Sequence, residues 1–136
     1  MKKPLVSIII PAFNEEEHLL STIAAIRKSI AFSKMPAEVI VVDNNSEDNT
    51  LNAAKKLADV VLTEKIRVIA AVRNTGAYRA RGKYLIFVDA DTIVPRELVA
   101  GFVFAMDKGA VVVGCKVMPH PVNILEKIVF EFFNFI

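Results

Sequence analysis

The sequence predicts an α/β fold, a sandwich of helices around a mostly parallel central sheet. Short β-branched runs alternate with longer stretches of helical period. The runs are apolar almost without interruption, as strands covered on both faces are. Strands separated by helices build right-handed βαβ units rather than hairpins. At 136 residues, 54% of them hydrophobic, the chain has the length of one domain and the means to bury a core.

The first run, Leu5–Ile10, is a buried strand. Glu15–Ala31 follows as a helix, with Leu19, Ile23, Ile26 and Ile30 in one stripe. Val39–Val42 is the second strand. Ser46 is expected to cap the next helix, with Glu47 and Asp48 in its first turn and Leu51, Ala54, Leu57 and Ala58 buried. Val60–Thr63 is a third strand. Ile66–Val72 is compatible with a strand or with the start of a helix running towards Arg81. Leu85–Val88 is a further strand, and Pro95 opens a helix burying Leu98, Phe102 and Met106 and ending near Gly109. Ala110–Val117 is expected as another strand. The segment 122–136 reads as a helix that is apolar on nearly every side, so it needs cover. Further chain, a membrane surface or a partner protein would supply it; an oligomer is one such arrangement.

Charge and composition exclude several functions. Seventeen basic and fifteen acidic residues leave a net charge of +2, too little to favour nucleic acid. The lone Cys115 suits a reducing compartment and a place in the core. The N-terminal apolar run is broken by Pro11 and three glutamates, so export is not expected and a cytoplasmic location is. No G-x-G-x-x-G follows the first strand and no P-loop motif is present, which argues against dinucleotide oxidoreductases and P-loop NTPases. With two histidines, His18 and His120, and one cysteine, a zinc site is not expected.

In an open parallel sheet, ligands bind beyond the carboxyl ends of the strands. Three strands here end in polar, acid-rich segments, "PAFNEE", "VDNNSED" and "VDADT". Each alone is an ordinary turn or cap; three on one edge make a site. Asp89 and Asp91 are two apart, so on an extended segment both would face one ligand. Two adjacent carboxylates repel, and a hard divalent cation shared with a diphosphate removes that cost.

The stretches "VSIIIPAFNEEEHLLSTIAAI", "EVIVVDNNSEDNT" and "RNTGAYRARGKYLIFVDADTIVP" together resemble the family 2 glycosyltransferases, from about Val6 to about Val117. The resemblance implies the Rossmann-like GT-A fold and binding of a UDP- or GDP-type nucleotide sugar. It places Pro11, Ala12, Phe13, Asn14, Glu15, Asp43 and Asn45 around the nucleotide, with Arg73 and Asn74 (ahead of Gly76) beside it. Arg79 and Arg81 are weaker candidates, read first as surface helix charge. The D-x-D motif, Asp89-Ala90-Asp91, implies Mg²⁺ or Mn²⁺ held by Asp91 and Asp89. The chain departs from the family where Asp43-Asn44-Asn45-Ser46 replaces the common Asp-Asp-Gly-Ser. The family's catalytic base comes from a later segment; Glu126 and Glu131 lie in an apolar run, and neither is assigned. The expectation is therefore an incomplete single domain, residues 1–136, supplying the donor site of an inverting, metal-dependent transferase, at the cytoplasmic face of a membrane. The alternative is a non-catalytic or partner-dependent nucleotide-sugar-binding module.

Overall fold

The structure, a computed structural model, describes residues 3–114. Strands and helices alternate in the order β1 (Val6–Ala12), α1 (Leu19–Ser33), β2 (Ala37–Asp43), α2 (Thr50–Leu57), β3 (Val60–Thr63), α3 (Ile69–Arg79), β4 (Tyr84–Phe87) and α4 (Leu98–Asp107). All four strands are parallel, in the order β3-β2-β1-β4. The chain builds outward from β1 to β3, then returns to lay β4 on the other side of β1. The strand order therefore reverses between β1 and β4, where a crevice opens at the carboxyl ends.

Helices cover both faces. Ile8, Ile10, Val39 and Val41 pack with α1, α2 and α4 through Leu19, Ile23, Ile26, Ala54, Val99 and Val103. Ile9, Ile40 and Val42 pack against Val72 of α3 on the opposite face. Two-sided burial explains why these strands carry unbroken apolar runs. The α3 layer sits close: a Cβ on Gly76 would lie 2.4 Å from Ile9 Cγ2 and 3.1 Å from Val42 Cγ2.

A polar clamp closes the amino end of the sheet. Glu38 Oε1 accepts from Ser7 Oγ (2.7 Å) and the Arg81 N–H (2.8 Å), while Oε2 accepts from Arg81 Nε and Nη2 at 3.0 and 2.8 Å. Burial pushes the Glu38 carboxyl up, but the bonds from Ser7 and from the Arg81 backbone and guanidinium outweigh it, and the net shift is downward. Gly82 N–H donates to Ser7 Oγ (2.9 Å), and a Cβ there would meet Ser7 N at 2.5 Å, so the loop before β4 lies directly on β1.

Several expected boundaries move. β1 runs through Pro11 to Ala12. Ile9 O accepts from Val88 and Ala12 O accepts from Asn44, so Pro11, with the parity of Ile9, directs its missing N–H to the side where β4 has already ended. α1 begins at Leu19, not Glu15, and Ile66–Val72 divides into a connection and the first turn of α3. Pro95 precedes α4 within a turn, its carbonyl accepting from Leu98 N–H at 3.1 Å. The fully buried residues of α4 are Val99 and Val103; Leu98, Phe102 and Met106 are only partly covered. In α2, Ala53 and Ala54 are buried, whereas Leu57 is 40% exposed. Residues 110–114 form no strand; the rest of that expected strand, Cys115, His120 and the 122–136 segment lie outside the described residues. Among the described residues, no helix is long and apolar enough to cross a membrane.

Candidate functional site

Two loops meet at the carboxyl edge of β1 and β2 and are laced by reciprocal bonds. Asn14 N–H donates to Ser46 Oγ (3.0 Å) while Asn14 Oδ1 accepts from Glu47 N–H (2.9 Å). Glu15 N–H donates to Thr50 Oγ1 (2.7 Å), Glu16 N–H to Asp48 Oδ2 (3.2 Å), and Glu16 Oε2 accepts from Asn49 N–H (2.8 Å). Much of the polar character at these strand ends thus satisfies orphan backbone donors ahead of the helices. Ser46, Glu47 and Asp48 correct their expectation: Ser46 braces the first loop instead of capping α2, whose N-cap is Asn49, and both acids precede that helix.

Asn14 and Asn45 are backbone residues first, with φ of 53° and 57°. Asparagine is among the few side chains that accept the left-handed region, and glycine accepts it freely. A glycine at Asn45's place, as in the Asp-Asp-Gly-Ser pattern this segment resembles, would take that conformation without strain. Neither Asn14 nor Asn45 lines the crevice, and Asn74 is exposed on α3 without reaching it.

The crevice itself is a cleft of about 290 Å³. Pro11, Ala12, Phe13 and Glu15 form one wall; Asp89, Ala90 and Asp91 form another. Asn44, Ile69 and Val72 complete it, and none of these three was singled out from sequence. Asn44 Nδ2 donates to Glu64 O (2.7 Å) and Ile66 O (3.0 Å), so its amide is fixed and holds the β3–α3 connection beside the cleft. Its neighbour Asp43 is 2% exposed and stands behind the wall; Oδ2 accepts weakly from Ser46 N–H (3.3 Å), and Oδ1 is buried without a partner. Arg67 stacks 4.6 Å from the centroid of the Phe13 ring and pairs with Glu47 at 3.2 Å.

The D-x-D segment is not extended. β4 stops at Phe87, and Thr92 N–H donates to Asp89 O (3.1 Å), closing a turn. Both aspartates still line the cleft, because Ala90 between them is buried (3% exposed) and the acids flank it on the outside. Arg73 Nη2 donates to Asp89 Oδ1 at 2.9 Å, while Arg73 Nε is buried without a partner. Arg81 is withdrawn to Glu38 at the far end of the sheet, and Arg79 is exposed near it in sequence.

Two features limit what can bind. The backbone amides of Asn14, Glu15 and Glu16, ahead of α1, are already spent on the second loop, so they make no phosphate cradle of the dinucleotide kind. The cleft carries three carboxylates, Glu15, Asp89 and Asp91, against two nearby guanidiniums, Arg73 paired with Asp89 and Arg67 on the Phe13 ring paired with Glu47. An anion needs added positive charge to enter. Among the described residues no group of three His, Cys, Asp or Glu side chains is placed to hold a metal alone. Two hard carboxylates and an open cleft suit a cation that completes its shell with water and ligand oxygens.

The family model for glycosyl transferase family 2 matches residues 7–132. The uncharacterized glycosyltransferase YfnE of Bacillus subtilis is 36% identical over 114 residues, covering 80% of this chain and 29% of its own length. The undecaprenyl-phosphate 4-deoxy-4-formamido-L-arabinose transferase of Proteus mirabilis is 33% identical over 121 residues, 82% of this chain and 36% of the relative. Among solved structures, the mannosyltransferase PcManGT from Pyrobaculum calidifontis, in complex with GDP-Man and Mn²⁺, superposes with a TM-score of 0.64 at 28% identity, covering 76% of this chain and 32% of that one. The chain spans about a third of the length of the curated relatives it matches. Fold, strand-end motifs and matched range agree: the chain belongs to glycosyl transferase family 2.

Proposed function

We propose that this chain forms the donor side of a glycosyltransferase that moves a sugar from a nucleoside diphosphate to an acceptor hydroxyl with inversion. The observation that carries this is the acidic cleft at the switch point, with Asp89 and Asp91 on one wall and the Phe13 edge on the other. Pro11, Ala12, Phe13 and Asn44 take the base and ribose, with Asp43 and its unpaired Oδ1 behind them. Arg73, Asp89 and Asp91 take the diphosphate end. Asn14 and Asn45 act by shaping the loops, and Asn74 lies at the margin.

Mg²⁺ or Mn²⁺ at Asp91 and Asp89 would neutralise charge building on the departing nucleoside diphosphate. Support comes from PcManGT, whose structure holds GDP-Man and Mn²⁺. Arg73 supplies a second positive group on the same side, and the loop braces hold the cleft walls ready for the ligand. The base that takes the acceptor proton is assigned to no described residue. Relatives named for undecaprenyl phosphate and dolichyl phosphate support a lipid-linked acceptor at a membrane face.

Calorimetric titration of the chain with UDP, GDP and their sugars, in Mn²⁺ and in EDTA, tests the reading. Cation-dependent binding of one nucleotide series is expected. No heat from any of these ligands in either condition would rule it out.

A further inference from the structure

Helix α1 carries two hydroxyls that its apolar stripe does not explain. Thr22 and Ser29 are both 0% exposed. Seven residues apart, they share one face of the helix. Thr22 Oγ1 donates to the carbonyl of Ala90 at 2.7 Å, and Ser29 Oγ accepts from Val99 N–H at 3.0 Å. Together they tie both ends of the 90–99 connection to α1, the helix that also follows the Phe13 wall of the cleft.

The Ala90 carbonyl lies in a turn, outside the β4 ladder, and is buried with its residue. Such a group needs a partner. A helical threonine ordinarily bonds back to its own helix; Thr22 instead reaches across 68 residues of sequence to the peptide between the two aspartates. Asp89 and Asp91 are exposed side chains on either side of that fixed point. Carboxylates that share a cation must be held within about 0.5 Å of their working geometry, and groups behind the ligands do that holding.

We propose that Thr22 is a positioning residue: its hydroxyl sets the Asp89–Asp91 turn so that both carboxylates converge on one cation. This rests on the donor-site reading above. In the full chain, Thr22→Val removes the hydroxyl and keeps the shape, and Thr22→Ser restores it. Nucleoside diphosphate is titrated in Mn²⁺ and in EDTA, with thermal melts alongside. Thr22→Val is expected to weaken binding in Mn²⁺ about tenfold, leave binding in EDTA unchanged, and be rescued to within about twofold by Thr22→Ser. Should the valine variant not fold, Thr22→Cys, with its weak S–H donor, carries the same comparison. A valine variant that keeps the cation-dependent gain, or loses affinity equally in EDTA, overturns the inference. A wild-type chain that binds nucleoside diphosphate with no cation-dependent gain overturns this inference alone, and one that binds none in either condition overturns the donor-site reading with it.

Discussion

Arg73 on α3 and Asp89 after β4 are joined by a 2.9 Å ion pair on the Asp89 side of the cleft, with side chains 41% and 60% exposed. A pair this open contributes less than about 1 kcal/mol to stability. Its value lies in holding a guanidinium next to the acid turn. Arg73→Gln should therefore leave the melting temperature nearly unchanged while weakening nucleoside diphosphate about tenfold or more, the loss of one charge-assisted bond. Calorimetry beside a thermal melt separates the two. Undiminished affinity would remove Arg73 from the site.

Gly76 sits one turn beyond Arg73 and lets α3 lie against Ile9 and Val42. Gly76→Ala must push the helix or Ile9 aside and should cost about 1–3 kcal/mol. Since the same shift displaces Arg73, nucleotide affinity should fall as well. A urea midpoint equal to that of the wild type would mean the layer is less tightly seated than its geometry requires.

The Glu38 clamp makes a pH-dependent contribution. Its carboxyl is held below its ordinary 4.5, so the folded state favours the ionised form. That stability is complete above 4.5 and is lost as pH falls through the lowered folded value. Glu38→Gln should lower the unfolding free energy from urea titration at pH 7 by about 2–3 kcal/mol, less than for a fully enclosed pair because Arg81 is 48% exposed and rehydrates. The gap to wild type should narrow towards pH 3.5. A gap independent of pH would contradict the clamp's ionic character.

Asn14 tests the loop brace. Asn14→Gly removes the bond to Glu47 but keeps the left-handed backbone; Asn14→Ala removes the bond and strains the backbone. Alanine should be less stable than glycine by about 1 kcal/mol, measured by chemical denaturation. Equal losses would show that the conformation at Asn14 relaxes freely.

Much of the fold was legible because two-sided burial writes itself into sequence as unbroken apolar runs; β3 falls on Val60–Thr63 as expected. β1 looked shorter because Pro11 usually ends a strand, and only its parity against β4 shows why it does not. Ile66–Val72 was ambiguous because one apolar run spans two environments, a connection pinned by Asn44 and the first turn of α3. At the candidate site, residue types point to the sheet edge where the cleft lies. Their directions were not legible. Asn14 turns to Glu47, and Arg81 to Glu38, through contacts 33 and 43 residues distant that no local pattern encodes. Of Asp43, Asn44 and Asn45 only Asn44 lines the cleft, a distinction that the run of polar residues does not encode.

A D-x-D turn that holds a nucleoside diphosphate through a shared cation should fail on Asp91→Asn. Asparagine keeps the shape of an exposed side chain and removes its charge, so the fold should survive. Calorimetry in Mn²⁺ should then show nucleoside diphosphate bound about tenfold or more weaker than by the wild type, with affinity in EDTA the same for both proteins. An unchanged affinity and an unchanged response to Mn²⁺ would mean that Asp91 holds no cation for this ligand.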